Sequence, residues 1–331
     1  MTQIGQGRPH PGRRALLLAA PVIALGSRVL RAAELPGGTI RLVVGFAAGG
    51  GIDAFARIAA RAASERTGNT FVVDNRPGGS ATLAALHVAR SAPDGRTLFV
   101  ADSGSMTITT DIMQRPPLDP RRELAPVMLA VHAPQVLVTR PSTAASLPDL
   151  LARARREPGR LTYASAGAGN ATHLAIADLT RRTGTELTHV PYRGGAQMTT
   201  SVIQGETDLC LLSLTTALPH LRAGSLAALA VASDTPLAEL PGVPTIASVV
   251  PNAAARAFWY GFNVPAETPA PLIEALHAAL KAALEAPETR ASLRPLGIQV
   301  VASSPQDYRR FLLEETERRS EMARFAGVVP E

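Results

Sequence analysis

TIRLVVGFAAGGGIDAFARIAARAASERTG, residues 39–68, decides the fold class. TIRLVVGF (39–46) is a nearly continuous apolar run rich in β-branched residues, the pattern of a strand buried on both faces. The glycine loop FAAGGGID (46–53) follows, and IDAFARIAARAASERTG (52–68) then has helical spacing and stops at Gly68. The same unit recurs outward from there. FVVDN (71–75) is a second strand ended by RPGG, ATLAALHVARSAPDG (81–95) a helix closed by Pro93 and Gly95, and TLFVAD (97–102) a third strand. A second set begins with the strand QVLVTR (135–140) and the helix LPDLLARARREPG (147–159). LTYAS (161–165) leads into another small-residue loop, AGAGNAT (166–172), and a helix through Arg182. ELTHV (186–190), TDLCLLSL (207–214) and LAALAVAS (226–233) are further strands. A Pro-rich stretch (236–254) precedes two terminal helices, 269–287 and 305–325. Alternating strands and helices with short loops predict an α/β protein of two similar lobes. Each lobe is a mainly parallel sheet flanked by helices, with a ligand cleft between them.

Length and composition agree with that reading. The 331 residues, 46% hydrophobic and 18% charged, are enough for two domains with substantial cores. The formal charge of +6 does not point to nucleic acid. Residues 1–33 hold Arg8, Arg13, Arg14, Arg28 and Arg31 and no acid, and without those five the 33 basic residues become 28 against 27 acids. No remaining basic run is long enough to track a phosphate backbone. Aromatic residues make up 4%, too few for broad base-stacking surfaces. Cys210, the only cysteine, excludes an internal disulfide and lies in an apolar run as a buried thiol. The seven histidines show no ligand spacing, so neither a metal nor a cofactor is expected.

PGRR followed by ALLLAAPVIAL (15–25) is the charged-then-apolar order of an export leader. The apolar run is too short for a membrane span. Arg13 and Arg14 fit a twin-arginine signal as well as an ordinary Sec leader, and cleavage is expected near Ala32 or Ala33. The mature chain is expected to be a soluble, periplasmic monomer.

Two glycine-rich loops open helices at matched positions, one per lobe. First-turn amides point outward there and the helix dipole adds partial positive charge, so a carboxylate is held without arginine. Phe46, Ala47, Ala48, Gly49, Gly50 and Gly51 form the first loop. Ser165, Ala166, Gly167, Gly169, Asn170 and Thr172 form the second, with His173 following. A side chain at Gly50 should block the approach of ligand to backbone. Asp53 reads as an N-cap accepting the Ala56 N–H, with a contact to a ligand ammonium as the alternative. Two enzyme readings compete. Gly49, Gly51 and Ala54 with Asp74 fit a dinucleotide fingerprint, although Asp53 would repel the pyrophosphate. Tyr163-Ala-Ser165-Ala-Gly167 resembles a nucleophile elbow without its first glycine, and nothing places an acid beside His173 or His189.

FAAGGGIDAFAR, VVDNRPGG, APDGRTL, YASAGAGNATHLA, HVPYRGGA, ALPHLRAGSLAALAVAS, LPGVPTI and FWYGFNVPAETP, in this order from about residue 36 to 328, resemble the tripartite tricarboxylate transporter substrate-binding family, the Bug-type extracytoplasmic receptors. The resemblance implies the two-lobe periplasmic binding protein fold. Lobe 1 would be 34–135 plus 257–331, lobe 2 would be 136–256, and two crossovers would form a hinge. It implies a small carboxylate as ligand, no catalysis, and membrane subunits of a transporter as partner, with a sensor kinase as the alternative. It adds Ser103, Gly104 and Ser105 at a strand end, Asp208 at a strand start, and Trp259 before Gly261 to the expected ligand site. Asn170, Leu212, Gly45 and Gln197 depart from the family pattern. If Leu212 faces the cleft, a more apolar or aromatic acid is favoured.

Overall fold

Helix Gly51–Thr67 buries Ile52, Phe55, Ala56, Ala59, Ala60 and Ala63, a stripe at helical spacing that lies on the sheet. It ends because Gly68, at φ 74°, takes the left-handed conformation and returns its N–H to Ser64 O. The structure is a computed structural model and describes residues 34–108, 111–233, 235–253 and 258–328. The leader read at 1–33, with its export signal and cleavage point, lies outside these.

Eleven strands are described: β1 (Thr39–Val44), β2 (Thr70–Asn75), β3 (Thr97–Asp102), β4 (Leu124–Ala133), β5 (Gln135–Thr139), β6 (Thr162–Ser165), β7 (Thr188–Pro191), β8 (Leu209–Ser213), β9 (Ala227–Ala232), β10 (Phe258–Pro265) and β11 (Gln299–Val300). They form two sheets, ordered β11-β4-β10-β3-β1-β2 and β7-β6-β8-β5-β9. The expectation of mainly parallel sheets is corrected. β1 pairs parallel with β2 and β3, and β6 with β7 and β8. All pairings of β4, β5, β10 and β11 are antiparallel. The reason lies in the crossings between sheets. β4 runs out of the first sheet and continues through Pro134 into β5 of the second, and β10 brings the chain back. Strands that enter from the other lobe run against their neighbours.

Two of the crossing strands, β4 and β10, have no counterpart in the sequence reading. Pro126 interrupts the apolar run of β4 and argues against a central strand. It is tolerated because β11 reaches only Val131 and His132, which leaves β4 an edge at Pro126. Helices Gly195–Gln204 and Leu214–Arg222 were also hidden, the second by Pro219 in its interior.

Helix Pro305–Ala326 packs on β4 and also on helix Ala171–Thr183 from the second sheet. Its Tyr308 lies over Gly261, where a Cβ would collide with the phenol. Further along, Met322 and Ala323 join Ile108 and Leu174 in a small apolar cluster, and Arg182 stacks 4.5 Å from the Phe325 ring. The C-terminal helix therefore ties the two sheets together beyond the crossing strands.

Candidate functional site

A cavity of about 70 Å³ lies between the two sheets, room for on the order of five waters or one small molecule. Four helices begin at its wall, capped by Gly50, Asn170, Gly194 and Ser213. Three of these ends nearly touch. A methyl on Gly50 would stand 3.7 Å from Gly195 N, and one on Gly195 would stand 3.8 Å from Thr216 Oγ1. Gly51 lies directly against the Ser213 hydroxyl. The first amides of a helix have no carbonyl partner within it. Thr172 N–H is capped by Asn170 Oδ1, Thr216 N–H by Ser213 Oγ and Leu214 N–H by Pro134 O, and the positive ends of the dipoles converge here. Among the described residues, no lysine or arginine lines the cavity.

The expected loops contribute differently from the sequence reading. Several of their amides are already used: Ala47 N–H by Arg193 O, Gly49 by Asp53, Ala166 by Thr172, Gly167 by Ser165 and Gly169 by His173. The loops are thus self-bonded walls, and anion-binding capacity sits one step later, at the first helical turns. Phe46, Gly50, Gly51, Ala166, Asn170 and Thr172 line the cavity, while Ala48 and Gly49 face solvent. A methyl on Gly50 would meet the protein only at ordinary contact distances, whereas one on Gly51 would overlap the Ser213 hydroxyl.

Asp53 is not the N-cap. The helix starts at Gly51, so Asp53 falls in its third position and reaches back to Gly49 N–H at 3.0 Å. Arg57 grips both of its oxygens at 3.0 Å and Asn75 donates over 2.9 Å. Burial opposes its charge, but these bonds outweigh burial and hold the pKa below the usual carboxylate value. A carboxylate already saturated by its own lobe braces the loop and is not aimed at a ligand.

Asp208 stands at the opposite end of β8 from Ser213, where it accepts from Thr162 N–H at 2.9 Å and from Arg140 at 3.3 Å. It is therefore a strand-end clasp and lies off the cavity wall. Trp259 is also off the wall. Side chains alternate along a strand, so Phe258 and Tyr260 face the cavity, and Trp259 faces Tyr308 and Phe311 on the other side. Ser103 is fully buried, and Ser105 bonds back to Asp102 N–H and O, shaping the turn after β3.

The sequence reading left out Asp102, Gln135, Gly195, Ser213, Thr216 and Tyr260, all on the wall. The signal for Gly195 was present in HVPYRGGA, a third glycine pair before a helix. Asp102 was hidden as the last residue of a strand read for its apolar face. Tyr260 lies opposite Asp102 in the β3–β10 register, and burial, followed by the nearby Asp102, pushes its phenol pKa up. Leu212 touches the cavity and also packs in the core with Val136, Val138 and Met198.

Behind the second loop, His173 and His189 stack at 4.0 Å, and Ser165 Oγ lies 2.6 Å from His189 Nε2. Ser165 is fully buried and also bonds to Gly167 O, so its oxygen is not presented to a substrate. His173 Nδ1 accepts the Gly169 N–H at 3.0 Å. Burial, with the neighbouring His189, pushes its pKa down to about 4. Among the described residues no cluster of three or more His, Cys, Asp or Glu side chains is arranged to hold a metal.

Residues 55–327 match the family described as tripartite tricarboxylate transporter family receptor. A protein from the tcbD–tcbE intergenic region of Pseudomonas sp. (strain P51) is 35% identical over 93% of this chain and 92% of its own length. The structure of R. palustris Rpa4515 with adipate superposes with a TM-score of 0.86 at 32% identity, covering 90% of this chain and 100% of that one. The periplasmic binding protein BugD superposes with a TM-score of 0.85 at 27% identity, over 89% of this chain and 100% of its own.

Proposed function

Because the chain belongs to the tripartite tricarboxylate transporter receptor family, we propose that it is an exported receptor that captures a small carboxylate by lobe closure and delivers it to the membrane subunits of such a transporter. The observation that carries this reading is the meeting of helix N-termini at Gly51, Gly195 and Ser213 in a cavity without a cationic side chain. Converging amides offset the desolvation of a carboxylate, and the two lobes share the donors, so the ligand stabilises the closed state over the open one. The likeness to a receptor solved with adipate supports a carboxylate as cargo. Likeness to a periplasmic binding protein supports export.

Thermal unfolding of the purified protein against a panel of small carboxylates, with NAD and neutral sugars as controls, tests this. A carboxylate at 100 times its dissociation constant should add about 2.7 kcal/mol and raise Tm by roughly 5–10 °C. A rise with NAD and none with any carboxylate would overturn the reading.

A further inference from the structure

We propose that Asp102 selects the ligand of this cavity, and that it selects a carboxylate which also carries an amino group over a dicarboxylate. The inference rests on the receptor reading above. Asp102 ends β3 and lines the cavity at 7% exposure. Its Oδ1 accepts from Ser105 N–H at 3.1 Å, and its Oδ2 accepts from Gly104 N–H at 3.3 Å and from Asn170 Nδ2 at 3.0 Å. All three donors are neutral. Among the described residues, no lysine or arginine lies within ion-pair distance of Asp102. Arg319, buried nearby, acts on it only through space and is itself bonded to Glu315 at 3.2 Å. A buried carboxyl group on the cavity wall whose hydrogen-bond donors are all neutral offers its remaining acceptor capacity to a cation on the ligand.

The wall thus has two unlike polar ends. One is the group of helix N-termini at Gly51, Gly195 and Ser213, which takes an anion. The other is Asp102, joined to Asn170 on the facing lobe. Tyr260 stands between them: its hydroxyl lies 3.3 Å from where a Cβ on Gly51 would be, and its backbone pairs with Asp102. A zwitterion matches both ends, whereas a second carboxylate would meet a like charge at Asp102.

Isothermal titration at pH 7 with six-carbon ligands tests this: hexanoate, adipate, 2-aminohexanoate and 6-aminohexanoate, on the wild type and on Asp102→Asn. The asparagine keeps an acceptor for one of the two turn amides, that of Ser105. On the wild type, one aminohexanoate should bind at least tenfold tighter than adipate and hexanoate. In Asp102→Asn that preference should disappear, with hexanoate or adipate unchanged or tighter. Adipate binding the wild type as tightly as either aminohexanoate overturns the proposal and leaves the carboxylate reading intact, without recourse to the variant. Failure of all four ligands on the wild type overturns the proposal and leaves the carboxylate reading to the thermal panel.

Discussion

Gly51 and Ser213, the first residue of one helix and the cap of another, approach so closely across the cavity that a methyl on Gly51 would overlap the Ser213 hydroxyl. Gly50, one residue earlier, has room for a methyl. Gly51→Ala should therefore hold the lobes apart and abolish ligand binding in titration calorimetry. Gly50→Ala should bind within a few-fold of wild type. Each variant should retain its far-UV circular dichroism, because Gly51 lies at a helix start where alanine is locally acceptable. Equal affinities for the two variants would sink the helix-terminus assignment.

Trp259 and Tyr260 separate stability from binding. Trp259 is fully buried against Tyr308 and Phe311 and donates from Nε1 to Glu315 at 3.4 Å. Trp259→Ala should cost about 3–5 kcal/mol in urea unfolding while the folded fraction binds normally. Tyr260→Ala removes a cavity wall and should weaken ligand binding roughly tenfold or more. The reverse pattern would mean that the faces of β10 are exchanged.

These two residues also show what the sequence could and could not reveal. Strand, glycine loop and helix were legible at 39–68 because buried periodicity and Gly68 are local signals. The two-lobe organisation was legible because the unit recurs. The faces of β10 were not, because a run in which every residue is buried carries no alternation to read. Family likeness assigned the aromatic role to Trp259, one residue off, and one residue reverses the face. Asp53 looks like a site acid in sequence because it flanks a loop, and Asp208 because the family resemblance implies one at a strand start. Only the partners brought by the fold, Arg57 with Asn75 and Arg140 with Thr162, reveal them as braces. Asp102 was missed for the opposite reason, since its distinguishing feature is a partner set without a cation.

Ser80 Oγ donates to Ala168 O at 2.7 Å, from the first lobe to the loop of the second. Its φ of 50° and that of Ala81, 75°, are unusual for residues with a Cβ, and the contact repays part of that strain. The bond forms only when the lobes meet, so its loss penalises the closed state alone. Ser80→Ala should lose about 1 kcal/mol, seen as roughly fivefold weaker ligand affinity. The unliganded protein should unfold at the wild-type urea midpoint if its lobes rest open. Unchanged affinity would show that this bond contributes nothing to closure.

Stability should fall on the acid side in two stages with different owners. His173 is held down to about 4 by burial and His189, and in the unfolded chain it titrates near 6.5. The folded state thus resists its protonation. The stability this gives is complete above about pH 6.5 and is lost as pH falls toward 4. Glu315 is opposed by burial, yet the Arg318 and Arg319 guanidinium groups and the Trp259 N–H hold it down to about 2. Its contribution is complete above the unfolded value of 4.5 and is lost as pH falls toward 2. Each stage is on the order of 3 kcal/mol. Urea unfolding from pH 7.5 to 3 should show a first decline beginning near pH 6.5 and a steeper one below 4.5. His173→Phe should remove the first decline and keep the second, because a phenyl ring still stacks on His189 but does not titrate. Curves that run parallel for wild type and His173→Phe between pH 6.5 and 4.5 would place the first stage elsewhere.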